Sequence, residues 1–159
     1  EARCKARRGD RGLRNVEMAL DYARRARICL REAELALREG YPSFVIRRSQ
    51  EALELAVKAL LRALGVEYPK RHDVSDILLE RRESLPEPIR SEVEELAKLL
   101  AELAALRGPA FYGFEEEGIP AEKAFKMEYA GRLYLSVRRY VEEIVNALER
   151  ILPPELGSA

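Results

Sequence analysis

With 159 residues, 47% of them hydrophobic, and 28 basic side chains set against 28 acidic ones, the chain has the size and apolar content of one domain. Zero net charge excludes a protein that coats nucleic acid through a broad cationic face, though it leaves room for a local basic site. Lys58 and Arg62 interrupt the richest apolar stretch, so nothing reaches the ~20 residues of a membrane span.

Residues 1–14 carry six basic and two acidic side chains, two glycines and little periodicity, which predicts a basic flexible arm. They contain no apolar run of the kind a secretory signal needs, so a cytoplasmic protein is the expectation. The first helix is expected to start near Asn15, a good N-cap residue, with Val16, Ala19, Leu20, Ala23, Ala26, Leu30, Ala33 and Leu37 on one stripe. Gly40 and Pro42 end it. The second helix, about 42–64, is apolar on more than one face and is therefore the expected centre of the fold. Gly65 stops it, and a short third helix follows Asp73, carrying Val74, Ile77 and Leu78 to about Ser84.

Pro88 suits the first turn of a fourth helix, striped by Ile89, Val93, Leu96, Leu100 and Leu103 and closing at Arg107-Gly108-Pro109. Residues 108–119 then form the only long irregular stretch inside the domain, and such loops disproportionately carry function. Pro120 opens a last helix with Ala130, Leu133, Val137, Val141, Ile144, Leu148 and Ile151 inward, stopped by Pro153-Pro154; residues 153–159 are a tail. The whole reads as all-α, an up-and-down four-helix bundle with one additional short helix, over residues 15–152.

Bundle cores often hold metal, but His72 is the chain's one histidine and no Glu precedes it by three residues, so a di-iron set cannot be assembled. One histidine with the scattered Cys4 and Cys29 does not make a zinc site either, and the two cysteines read as free thiols. No phosphate-binding glycine loop and no nucleophile elbow is present. No metal and no cofactor is therefore expected.

What remains is a set of polar residues around the second helix: Arg47, Arg48, Gln50, Glu54 and Lys58 on it, His72 in the loop after it, and Arg107 and Tyr112 beside the aromatic loop. Taken alone, Glu54 and Lys58 form a favourable i,i+4 surface pair and Arg107 complements a helix C-terminus. The stretch RRSQEALELAVKALLRALGVEYPKRHDVSDIL, residues 47–78, resembles the HEPN family, the "higher eukaryote and prokaryote nucleotide-binding" helical domain. Gln50, Ala52, Glu54, Lys58, Ala59, Leu60, Leu61, Gly65 and His72 carry the likeness, which extends more loosely over about 15–150.

The resemblance implies a homodimeric bundle linked to nucleotide or RNA chemistry, often paired with a minimal nucleotidyltransferase in a toxin–antitoxin-like system. It makes Arg48, Lys58, His72, Arg107 and Tyr112 the candidate nucleotide- or RNA-binding residues. The family's ribonuclease motif, Arg-x(4–6)-His, is missing. Counting back from His72 meets Glu67, Val66 and Gly65, and counting forward from Arg107 meets Tyr112, Gly113 and Phe114. A non-catalytic binding protein is therefore the expectation, with no residue assigned a catalytic role. A diverged metal-independent endoribonuclease toxin and a purely structural dimerisation module are the alternatives.

Overall fold

The computed structural model describes the backbone of residues 2–153 and the side chains of residues 11–153. Among the described residues six helices follow in chain order: α1 (Ala2–Glu39), α2 (Pro42–Ala63), α3 (Ser75–Glu80), α4 (Val93–Tyr112), α5 (Ala121–Ala124) and α6 (Met127–Ile151). A 3-10 turn at Arg82–Ser84 follows α3, and a lone antiparallel bridge joins Phe114 to Ile119. The all-helical expectation holds, with α2 at the centre, packed against α1, α4 and α6. Leu53, Leu60, Leu61, Ala52, Ala56 and Ala59 of α2 are completely buried. The buried positions of α1 are almost all alanine (Ala19, Ala26, Ala33, Ala36), and small side chains let two helix backbones approach closely. No helix among the described residues is long and apolar enough to cross a membrane.

Four boundaries differ from the expectation, one of them the start of the last helix, at Met127 rather than at Pro120. The first helix begins at Ala2 rather than near Asn15, so residues 2–14 are helical and continuous with α1. Ala, Arg, Lys and Leu dominate that segment, and their helix propensity offsets the ~1 kcal/mol that each of Gly9 and Gly12 costs. The fourth helix starts at Val93, not at Pro88, because residues 87–92 are held as turns after a cis Glu87–Pro88 bond. There the Glu87 carboxylate accepts the Ser91 backbone N–H at 3.2 Å. At its far end α4 runs through Gly108 and Pro109 to Tyr112. Pro109 lacks an N–H, so α4 loses the one ladder bond that would have reached the Ala105 carbonyl. Most of the tail at 153–159 lies outside the described residues.

The irregular stretch is thereby reduced to a small hairpin. Phe114 donates its N–H to the Ile119 carbonyl at 2.8 Å, Ile119 returns the bond to Phe114 at 3.0 Å, and Gly118 closes the turn on Glu115 at 3.1 Å. A break at Phe125-Lys126 separates the short α5 from α6.

Long polar side chains tie α4 to α6. Tyr129 donates to Glu102 at 2.7 Å, Tyr140 to Glu95 at 3.4 Å, and Arg139 reaches Glu92, the N-cap residue of α4, at 2.8 Å while also pairing within α6 with Glu143 at 3.0 Å. Burial, followed by its bond to the Glu102 carboxylate, pushes the Tyr129 hydroxyl up to about 12.

Candidate functional site

Residues 47, 50, 54 and 58 are spaced three, four and four apart, the repeat that places side chains on one stripe of a helix. On α2 that stripe faces the loop after the helix and the last turns of α4. Its centre is Glu54, 8% exposed, one of the few charged residues inside the bundle. Lys58 donates to Oε1 at 3.1 Å, and His72 Nδ1 lies 2.8 Å from the same oxygen. Gln50 Nε2 donates to Oε2 at 3.2 Å, and Arg107 Nη1 stands 3.9 Å from it as an ion pair. The guanidinium is held more tightly by Gln50, whose Oε1 accepts from Arg107 Nη1 at 2.7 Å. Gln50, Lys58 and His72, from α2 and the 65–74 loop, thus hydrogen-bond one carboxylate, and Arg107 of α4 adds a longer ion pair to it.

The loop that delivers His72 is itself fixed at both ends. Gly65, with φ +71, turns the chain out of α2, and Val66 N–H bonds back to the Leu61 carbonyl at 2.9 Å. Asp73 Oδ1 then accepts the Ser75 N–H at 2.9 Å, tying down the turn before α3, whose N-cap position is Val74. Between these anchors the Tyr68 ring lies under Lys58 and Arg62, 5.6 and 5.5 Å from their charges, while its hydroxyl accepts from Arg62 Nε at 3.2 Å. Burial raises the Tyr68 hydroxyl above its ordinary range despite the opposing influence of Arg62.

Charge accounting favours an anion here. Lys58 and Arg107 bring two permanent cations against one buried carboxylate, so the cluster keeps a surplus positive charge even with His72 neutral. Arg107 is 36% exposed and His72 57%, against 15% for Lys58, so the first two are the groups a ligand can reach. Beside them opens a cavity of about 300 Å³ lined by Arg47, Gln50, Glu51, Arg107, Phe111 and Tyr112.

A HEPN domain family model matches residues 19–154, most of the chain. The chain belongs to the HEPN family. No curated protein and no solved structure matched it. The family is one of nucleotide-binding and ribonuclease-type domains.

In this HEPN chain, three of the candidate residues, Lys58, His72 and Arg107, meet at Glu54. Tyr112 stands apart from that carboxylate, 62% exposed in the last turn of α4, and lines the adjoining cavity. Arg48 is the exception. It is turned away from the cluster and bridges α1 and α2, with Nε 2.8 Å from Glu32 and Nη1 3.0 Å from Glu51. The reason is helical geometry: position 48 is one residue, about 100° of rotation, off the 47-50-54-58 stripe. Arg47, its neighbour, belongs to that stripe and lies over the Phe111 ring at 4.4 Å. The three-four-four spacing carried this signal, whereas counting basic residues at the start of α2 did not separate the two arginines. Behind Arg48, the buried Cys29 thiol contacts Glu51 at 3.8 Å. Desolvation first, then Glu51 and Glu32, push that thiol up to about 11, which makes it a poor nucleophile at neutral pH.

Proposed function

We propose that this HEPN protein is a non-catalytic binder that holds a nucleotide or RNA phosphate in the cleft where Arg107 and His72 face solvent above the Glu54–Lys58 pair. The observation that carries this reading is the convergence of Lys58, His72 and Arg107 on one buried carboxylate that neutralises only part of their charge. A guanidinium already oriented by Gln50 loses little entropy when it takes a phosphate, the usual advantage of a preorganised fork. Family membership supports a homodimer and a minimal nucleotidyltransferase as protein partner, in a toxin–antitoxin-like pair. In the predicted outcome, wild type binds mononucleotides and short RNAs, and the Lys58→Ala/Arg107→Ala double variant binds at least ~10-fold more weakly with a shallower salt dependence. Titration calorimetry at several salt concentrations is the measurement. Equal affinity of the two proteins would show that the cleft is not the site.

One contact favours a second reading. His72 turns Nδ1 to Glu54 at 2.8 Å, which leaves Nε2 to exchange a proton beside a phosphate held by Arg107, the elements of metal-independent RNA cleavage. The two residues come together in space although their sequence spacing lacks the family motif. Incubation with RNA in EDTA separates the readings. Cleavage that disappears in His72→Ala identifies an endoribonuclease, and intact RNA leaves binding alone.

A further inference from the structure

Next to the phosphate cleft, four aromatic rings lie open at one end of the bundle: Tyr41 and Phe44, each 49% exposed, Phe111 at 54% and Tyr112 at 62%. They are not scattered. Tyr41 and Phe44 meet edge to face at 6.3 Å, and Phe111 and Tyr112 do so at 4.5 Å. Arg47 links the two pairs, its guanidinium 4.4 Å from the Phe111 centroid and 6.0 Å from that of Phe44. About half or more of each ring's residue is exposed, and Phe111 and Tyr112 line the 300 Å³ cavity together with Arg47 and Arg107. That volume is at the small end of the ~300–1,000 Å³ usual for ligand clefts, the scale of a single nucleotide rather than a folded partner.

We infer that this aromatic–arginine platform stacks the unpaired bases of single-stranded RNA whose phosphates engage Arg107, so that the ligand of the cleft is a single strand and not a duplex. This inference rests on the phosphate-binding reading above and names its substrate class. Two features select this ligand over a second copy of the chain. Arg47 and Arg107 stand among the rings, and an apolar covering surface would desolvate both cations without an anion to meet them. A strand brings flat π-faces for the rings and a phosphate for the cations in alternation, matching the order Phe44, Arg47, Phe111, Arg107 along the surface. A duplex hides its base faces and offers nothing for the rings to stack on.

The test uses the full chain and two fluorescent probes of equal length, a single-stranded oligouridylate and an abasic ribose-phosphate oligomer. Binding is followed by anisotropy over a series of salt concentrations. The oligouridylate is expected to bind more tightly than the abasic strand. Phe44→Ala and Phe111→Ala should each weaken the oligouridylate by roughly 5- to 100-fold while leaving its salt dependence and the abasic strand's affinity unchanged, and Phe111→Trp should restore binding. Both phenylalanines are half exposed, so the variants are expected to fold, and their melting curves confirm it. Equal binding of the two probes, both unaffected by the ring variants, overturns stacking and leaves phosphate binding standing. Failure of both probes to bind overturns the two readings together. A Phe111→Ala protein that sediments as a smaller species but binds oligouridylate as wild type does would make this face a contact between copies and overturn the inference.

Discussion

Replacing Glu54 with alanine is expected to lower the melting temperature by roughly 6–12 °C. The side chain is 10% exposed and compensates Lys58, which is 15% exposed. Without the carboxylate, that ammonium is left with the Tyr68 ring at 5.6 Å as its remaining attraction and Arg107 as a repelling neighbour. Breaking a buried pair from one side typically costs 3–5 kcal/mol; the partial exposure of Arg107 and His72 argues for about 3, and each kcal/mol shifts a domain of this size by about 2–4 °C. The control is a Glu54→Leu/Lys58→Met double variant, in which neither charge is stranded. It should recover much of the loss, as apolar replacements of buried ion pairs often do. A calorimetric scan of the two proteins decides. If Glu54→Ala costs no more than an ordinary surface change, within about 0.5 kcal/mol, the carboxylate is not holding the cluster together.

The second large effect is expected at Gly113, where α4 ends. Its backbone, φ +72 and ψ −159, lies in a region that essentially only glycine occupies. A Cβ built there would stand 2.2 Å from the Ile119 carbonyl oxygen and 2.6 Å from the Ala121 nitrogen, both backbone atoms that no rotamer change can move. Gly113→Ala should therefore cost about 3 kcal/mol or more, the strain of the conformation plus displacement of the hairpin. Gly118 provides the comparison. It also has a positive φ, +67, but open space where its Cβ would be, so Gly118→Ala should cost only ~1–2 kcal/mol. Urea unfolding measures both costs, and hydrogen exchange at the Phe114 and Ile119 amides locates them. Equal costs at the two glycines would mean that the hairpin gives way without resistance.

Much of this molecule was legible in its sequence because apolar periodicity reports helix faces directly. The stripes of α2 and α6 and the central place of α2 follow from it. So does the Gln50-Glu54-Lys58 line, since a helix turns three- and four-residue spacing into adjacency. Other features depend on contacts that no local pattern encodes. Arg107 meets Gln50 across 57 positions of chain, and His72 reaches Glu54 across 18, through a loop whose path is set by Tyr68 and Asp73. Glu54 itself read as half of an exposed i,i+4 pair, because burial is a property of the packed bundle and not of spacing. Two of the differing helix ends share one cause. Glycine and proline weaken a helix by a finite amount, and in residues 2–14 and 108–112 that amount did not end the helix. Arg48 points away from Glu54 because adjacent helix residues differ by about 100° in direction, a distinction that residue type alone does not make between it and Arg47.

The single carboxylate shared by Lys58, Gln50, His72 and Arg107 has a consequence beyond stability. A ligand that draws the Arg107 guanidinium outward takes a cation from beside Glu54 and a donor from Gln50, and the contacts of Lys58, Gln50 and the His72 loop with the carboxylate readjust. Occupancy at the mouth of the cleft and order in the 65–74 loop are therefore thermodynamically linked, and the linkage is reciprocal: whatever steadies or loosens that loop changes the affinity at Arg107 by the same factor. On the proposed reading, a partner that gripped the loop carrying His72 would change the ligand's affinity without touching it.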